Sequence, residues 1–192
     1  LGCYGDGGAC FTNNKIFAEK IRKISQHGQE ARYFHTSIGV NGRLDTIQAA
    51  ILLAKFEFYP DEIKKRRILA EYYTELLNQI GIKSTPKIIN ENKSVYAQYT
   101  IQVSQRDLFQ KKLKDLKIPS AVHYPQILPL QPILKGSADE NELIENNKIA
   151  YLASQRVISL PFHPYLKKSE IHEIVEKIET ILSTNKNFLS QQ

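Results

Sequence analysis

Two short runs hold the side chains best suited to chemistry. In Ile38-Gly39-Val40-Asn41-Gly42-Arg43-Leu44-Asp45, glycines flank a carboxamide and a guanidinium. Asn41 can donate to an anionic oxygen without adding charge, and Arg43 offers a planar fork of donors that matches phosphate or carboxylate. The glycines allow close approach of backbone to a ligand, and Asp45 is a natural N-cap for the helix that follows. The run reads as an anion site, the alternative being an ordinary helix entry with Arg43 in solvent. In the second run, His123-Tyr124-Pro125, an imidazole and a phenol come off the end of an expected strand, where side chains project into a cleft and can hydrogen-bond hydroxyl or phosphate oxygens. A structural histidine is the alternative there. Tyr33 and His35, in the polar-aromatic loop Arg32-Tyr33-Phe34-His35, either line a pocket or anchor the loop. His27 falls in a final helical turn, where the dipole favours it, and His163 sits next to Pro164 in a turn that reads as structural.

These residues need elements to hold them. Leu1 to Asn13 is a glycine-rich loop that feeds a short strand at Ala9-Cys10-Phe11-Thr12. Asn13 or Asn14 caps a helix whose apolar positions Ile16, Phe17, Ile21 and Ile24 recur at helical spacing, ending near His27-Gly28. From Asp45 to about Phe58 runs an almost wholly apolar helix, expected to be buried on several sides. Pro60 opens a long helix to about Ile80, with Leu69, Tyr73 and Leu77 among its packing residues and Lys64-Lys65-Arg66-Arg67 mostly outside. After Gly81 the period changes. Val95 to Val103 alternates as a strand with one buried face, Asp107 to Leu116 is a short amphipathic helix, and Ile118 to Tyr124 is a second strand. Glu142 to Ser154 and Ser169 to Leu182 are helices on either side of a strand at Arg156 to Leu160, which together suggest a small α+β layer domain. The polar tail from Thr184 is expected to fray.

Composition narrows the class. A chain of 192 residues with 42% hydrophobic and 24% charged residues can bury a core and is ordinary for a globular protein. The net charge of +6 and pI of about 9.2 permit nucleic-acid binding, but the lysines are scattered among glutamates on helices and form no patch, so no nucleic acid is expected. Cys3 and Cys10 lack the partners a zinc site needs, which implies no metal and reduced thiols in a cytoplasmic protein. No apolar run approaches a membrane span. The sequence contains no methionine and its first residues already look like a fold interior, so a fragment of a longer protein is expected.

The run from His35 through Ala50, with Leu1-Gly2-Cys3-Tyr4-Gly5-Asp6-Gly7-Gly8 and Val122-His123-Tyr124-Pro125, resembles the DegT/DnrJ/EryC1/StrS family of pyridoxal-phosphate (PLP) sugar aminotransferases. The resemblance spans nearly the whole chain. It implies an α/β architecture, the C-terminal part of a fold-type-I PLP transferase. Residues 1–81 would end the large PLP-binding domain and carry the interdomain helices, 82–183 would form the small α+β domain, and 184–192 a flexible tail. It also implies that the Schiff-base lysine lies just before the position matching Leu1, so no catalytic residue is expected within the chain and the isolated chain is expected to be inactive. In the family, the asparagine matching Asn41 reaches the PLP phosphate of the partner subunit, which implies a homodimer with shared active sites. Arg43, His123 and Tyr124 are implied at the nucleotide-sugar pocket, with Tyr33 and His35 as further lining. Pro129, in Ile127-Leu128-Pro129-Leu130-Gln131, replaces the family's usual second histidine and alters the fine geometry of that pocket. The implied reaction converts a keto group of a nucleotide-linked sugar to an amine in two ping-pong halves, with glutamate as donor. The substrate would be a UDP-3-keto-2-acetamido sugar or uronate for surface polysaccharide such as O-antigen. The alternative is a non-catalytic dimerisation, ligand-binding or sensor module of the same fold.

Overall fold

The computed structural model describes residues 1–134, 136 and 139–189. They fall into two compact units, Leu1–Asp61 and Glu62–Gln192.

In the first unit, Asn14 caps α1 (Lys15–Ser25): its Oδ1 accepts from the Phe17 N–H at 3.2 Å. The helix ends in a reversal in which the Gly28 N–H donates to the Lys23 carbonyl at 2.8 Å. Gly28 has φ +71°, and a Cβ there would lie 1.7 Å from the Ser37 carbonyl oxygen, so only glycine fits. A short antiparallel hairpin follows, β1 (Gln29–Ala31) with β2 (Phe34–His35), and then α2 (Thr46–Phe56). Residues 9–12, expected as a strand, belong to no strand. The expected burial of α2 also fails, since no residue of the helix is buried and Ile47 and Leu53 are 75% and 73% exposed. The reason is that the unit has no core of its own: among the described residues, every buried hydrophobic side chain lies at Leu69 or beyond.

The second unit is built on α3 (Tyr59–Gln79), which starts in the first unit and buries Leu69, Ala70, Tyr73 and Leu77. It continues through β3 (Tyr99–Gln102), α4 (Arg106–Asp115), α5 (Glu140–Asn146), α6 (Lys148–Ser154), β4 (Val157–Leu160) and α7 (Lys168–Thr184). β3 and β4 pair antiparallel with Tyr99 opposite Leu160, Thr100 opposite Ser159 and Ile101 opposite Ile158. Tyr99 and Ile101 face inward, as a period of two requires. They join Phe109 and Leu113 of α4 and Ile171, Val175 and Ile178 of α7 in one core. Such a layer of helices over a small sheet is the α+β arrangement expected.

Four boundaries differ from expectation. The first strand begins only at Tyr99, because Tyr96 has φ +45° and cannot continue an extended run. The second, at 118–124, reduces to one bridge between Ala121 and Ser159. The helix at 142–154 is two helices that meet at Asn147, whose φ of −121° interrupts the α conformation. The division between units falls at Asp61, and not at Gly81, because α3 contributes four residues to the second core. Nor does the chain fray from Thr184: Lys186–Leu189 form a 3-10 turn whose Phe188 is fully buried. The part of the tail expectation that concerns 190–192 lies outside the described residues.

Candidate functional site

The residues singled out above fall into two clusters, one in each unit. In the first, Gly39 packs the loop against the end of α1: a Cβ there would lie 2.2 Å from the Gly28 nitrogen and 2.5 Å from the Ile24 carbonyl oxygen. The close approach that this glycine permits is to the chain's own backbone, where a ligand was expected. The Val40 and Gly42 N–H groups donate to the carbonyls of Ile24 and Ser25, at 2.9 and 2.8 Å, so they too are taken up internally. Asn41 is thereby held opposite Gln26 in an isolated bridge. Its Oδ1 accepts from Arg43 Nε at 3.1 Å. This bond turns the carboxamide so that its N–H2 and the outer guanidinium nitrogens of Arg43 are left without partners among the described residues. Both side chains are exposed. The pair therefore presents several N–H donors, one group of them charged, which suits an anion, while Asn41 Oδ1 keeps a second lone pair. Asp45 precedes α2 as its N-cap but makes no side-chain cap bond.

Tyr33 is at the tip of the hairpin with φ +66° and 77% exposed, and the Arg32 guanidinium lies 4.9 Å over its ring. His35 Nδ1 lies 2.8 Å from the His27 carbonyl and must donate to it, which ties β2 to the end of α1. Of the two readings for His35, the loop anchor is the one with a bond in the structure. Nearby, Lys23 pairs with Glu30 at 2.9 Å, and its ammonium, with the Thr36 hydroxyl, holds the Glu30 carboxyl below the usual range.

In the second cluster, His123 and Tyr124 follow the Ala121 bridge to β4. Their rings meet edge to face at 5.7 Å, and the peptide between them is cis. They form one wall of a cleft of about 740 Å³ whose other walls come from Ile127, Leu128 and Pro129 and from Asn147, Ala150 and Ala153 of the α5–α6 pair. Pro129, the departure noted above, thus lines the same cleft as His123. Tyr124 is 70% exposed, whereas His123 is half-buried. His123 Nδ1 lies 2.9 Å from Ser159 Oγ, which lies 2.8 Å from Thr100 Oγ1. His163 is exposed, and its Nδ1 accepts from the Tyr165 N–H at 3.2 Å, a turn role as expected.

Sequence reasoning placed the run Ser159 to Pro164 near the pocket rim through the family resemblance, but singled out neither the Ser159 hydroxyl nor Thr100. The available signal was a hydroxyl buried in the apolar run Val157-Ile158-Ser159-Leu160, since a buried polar group must find a partner. Arg106 was missed as well. Its guanidinium is buried, and it donates to the carbonyls of Ser154 and Val157, both at 3.4 Å, where those residues line the cleft. Among the described residues, no group of three His, Cys, Asp or Glu is placed to hold a metal, and no helix is long and apolar enough to cross a membrane.

The DegT/DnrJ/EryC1/StrS aminotransferase family model matches residues 1–179. The chain is 48% identical over 171 residues to the UDP-2-acetamido-2-deoxy-3-oxo-D-glucuronate aminotransferase of Pseudomonas aeruginosa, a match covering 89% of this chain and 46% of that one. It is 41% identical to the pleiotropic regulatory protein of Geobacillus stearothermophilus, over 93% of this chain and 48% of that one. Among solved structures, it resembles a DegT DnrJ EryC1 StrS aminotransferase from Brucella abortus with a TM-score of 0.82 and 35% identity, over 94% of this chain and 48% of that one. The chain therefore spans about half the length of the relatives it matches, and its fold corresponds to about half of a fold-type-I aminotransferase chain.

Proposed function

The chain belongs to the DegT/DnrJ/EryC1/StrS aminotransferase family, and from that premise we propose that it carries part of the active site of a PLP-dependent nucleotide-sugar aminotransferase. The substrate we assign is a UDP-linked 3-keto-2-acetamido uronate or the corresponding sugar, the amino donor glutamate, and the product an aminosugar for surface polysaccharide such as O-antigen. The observation that carries this reading is the 48% identity to the Pseudomonas aeruginosa enzyme across 89% of the chain.

The donor set of the first cluster fits the cofactor's phosphate. A phosphate accepts hydrogen bonds and carries charge, and the Asn41–Arg43 pair presents amide and guanidinium N–H groups, with Asn41 Oδ1 turned to Arg43 Nε. Asn41 would hold the phosphate, in the proposed homodimer from across the subunit interface, and Arg43 would orient Asn41. PLP supplies, when bound, the electron sink that lets an amine pass from donor to keto sugar. His123 and Tyr124 would hydrogen-bond the sugar or its diphosphate, the apolar cleft walls would exclude water around them, and Tyr33 would close the first cluster's rim. With Cys3 and Cys10 free, a reducing cytoplasm is the compartment we assign.

The test is amine transfer by the full-length holoenzyme from glutamate to the 3-keto uronate and to its non-acidic counterpart, read by mass of the product. Transfer to either supports the aminotransferase reading, and preference for the uronate supports the finer assignment. Transfer to neither overturns it. A second reading, a regulatory module without catalysis, has one observation in its favour, the regulatory name borne by the Geobacillus stearothermophilus relative. That reading expects nucleotide-sugar binding without turnover.

A further inference from the structure

One wall of the His123 cleft is made by Asn147, Ala150, Ala153, Ser154 and Val157, which belong to α6, its N-cap and the start of β4. The helical part of this wall is lightly attached. α5 buries no residue and α6 buries only Ser154, its last, while Leu143, Ile144 and Tyr151 are half-buried and Ile149 and Leu152 exposed. The neighbouring elements are seated by fully buried apolar side chains, α4 by Phe109 and Leu113, β4 by Ile158, and α7 by Ile171 and Ile178. Apolar burial therefore holds α5 and α6 less firmly than it holds the elements around them.

The joint is at the C-terminal end of α6, where a helix leaves carbonyls without partners. Arg106, the first residue of α4, reaches it from the core and is 8% exposed. Its Nε donates to Oδ1 of the exposed Asp107 at 2.5 Å, and its Nη1 lies 3.4 Å from both the Ser154 and the Val157 carbonyl oxygens. These two distances are long for hydrogen bonds, so the hold is mainly the attraction of a buried cation for two carbonyl dipoles. One of those carbonyls ends α6, where the helix dipole favours positive charge. The Ser154 hydroxyl is spent on the Tyr151 carbonyl of its own helix, at 2.7 Å, and does not tether α6 to the core; the Arg106 cation does. On the strand side the same reversal has a backbone bond as well, from the Val103 N–H to the Arg156 carbonyl at 3.1 Å. We propose that Arg106 is a positioning residue for the cleft: from inside the core it fixes where the α6 wall stands against His123 and Tyr124, and so how closely the cleft fits a nucleotide sugar. Arg106 does not itself line the cleft, and its effect passes through the Ser154 and Val157 carbonyls. The occupant rests on the proposed nucleotide-sugar reading, whereas the hold of Arg106 on α6 does not.

The experiment compares the full-length PLP holoenzyme with its Arg106→Met and Arg106→Lys variants, with UDP as the probe ligand. Amide hydrogen exchange read by mass should be faster in residues 140–154 of Arg106→Met than in the wild type, with β3 and α7 unchanged. UDP should bind Arg106→Met about tenfold more weakly, while the glutamate half-reaction keeps its rate. Arg106→Lys, which keeps the charge but not the planar fork, should fall between on both readouts. A merely structural role gives a different pattern: faster exchange throughout the second unit, a lower melting temperature, and unchanged UDP affinity in the fraction that remains folded. That pattern overturns the proposal. So does exchange in residues 140–154 that is indifferent to Arg106→Met, because loss of charge acting at long range would weaken UDP without loosening the wall. If Arg106→Met does not fold, Arg106→Gln decides by the same criteria. If UDP does not bind the wild type, the nucleotide-sugar reading of the cleft fails, and the exchange of residues 140–154 still decides whether Arg106 positions the wall.

Discussion

Arg43 Nε donates to Asn41 Oδ1, and that one bond changes what each substitution removes. Under the proposed function, Asn41→Ala deletes the amide donor to a charged acceptor, a loss of roughly 1.5–3 kcal/mol or about ten- to hundredfold in PLP affinity. Arg43→Gln leaves the amide in place but frees it to rotate, so PLP affinity should fall here too, although Arg43 was expected to serve only the sugar. Because the two changes act on one bonded unit, the double variant should lose less than the sum of the singles, with a coupling of roughly 0.5–3 kcal/mol. Equilibrium dialysis of PLP against the four proteins checks this, and strict additivity would show the pair to be independent. The types of Asn41 and Arg43 were legible in the sequence because donors for an anion are few. The bond between them was not, since it depends on the loop conformation that Gly39 permits. Gly39 itself announces that something comes close to the backbone, but sequence does not say whether that is a ligand or, as here, the end of α1.

At the scale of elements, the two ends of the second unit show what periodicity conveys and what it omits. The alternation of Tyr99, Ile101 and Val103 gave the strand and its buried face, yet its start was misplaced because a positive φ at Tyr96 leaves no trace in the pattern. The turn Lys186–Leu189 escaped notice since a single aromatic in a polar tail has no period at all. Phe188 nevertheless packs edge to face on Phe109 of α4 at 5.2 Å, and its carbonyl accepts from the Ser104 N–H at 3.0 Å. Phe188→Ala should cost about 3–5 kcal/mol in thermal or urea unfolding of the chain; a change under about 1 kcal/mol would mean that the turn does not dock in solution. The stacked pair Tyr73 and Tyr99, at 4.7 Å, makes the same unit sensitive to alkali. Burial pushes the Tyr99 phenol up to about 12 even though Thr74 hydrogen-bonds it, and pushes Tyr73, whose hydroxyl has no partner, higher still. An unfolded tyrosine ionises near ~10, so the unfolded chain holds fewer protons than the folded one above that pH. The stability these groups contribute is complete below pH ~10 and is lost as pH rises toward the folded values, at about 1.4 kcal/mol per unit for each phenol. Unfolding followed by circular dichroism between pH ~9 and ~12 should therefore steepen above ~10. Tyr73→Phe should remove the share of that slope due to one phenol, Tyr96 and Tyr165 being raised as well, and, by deleting a buried hydroxyl without a partner, raise stability at neutral pH by about 1–3 kcal/mol. A slope unchanged by Tyr73→Phe would place the alkaline sensitivity elsewhere.

Across the whole molecule, the proposed roles separate along the division between units, with the donor pair Asn41 and Arg43 in Leu1–Asp61 and the His123–Tyr124 cleft in Glu62–Gln192. The division was only partly legible. The change of period after Gly81 is real, but a helix joins the unit whose core it fills, and α3 fills the second. The apolar character of α2 was read correctly and its burial was not, because composition reports what a helix needs to cover and not whether the same chain covers it. The separation of roles has a kinetic consequence in the proposed ping-pong reaction, where the amino donor and the keto sugar meet the enzyme in different half-reactions. Tyr124→Phe removes one phenolic hydroxyl from the cleft and leaves the ring on His123, the cleft walls and every atom of the Asn41–Arg43 pair. The glutamate half-reaction should keep nearly its original rate and PLP its affinity. The keto-sugar half-reaction should slow about tenfold or more, as loss of a hydrogen bond to a charged or strongly polar group worth roughly 1.5–3 kcal/mol requires. Asn41→Ala should behave in the opposite way, with both half-reactions falling as PLP is lost and both recovering when PLP is added in excess. Single-turnover measurements of the two halves distinguish the cases. If Tyr124→Phe slows both equally, or excess PLP restores it, the cleft belongs to the cofactor site and the division of labour proposed for the two units is wrong.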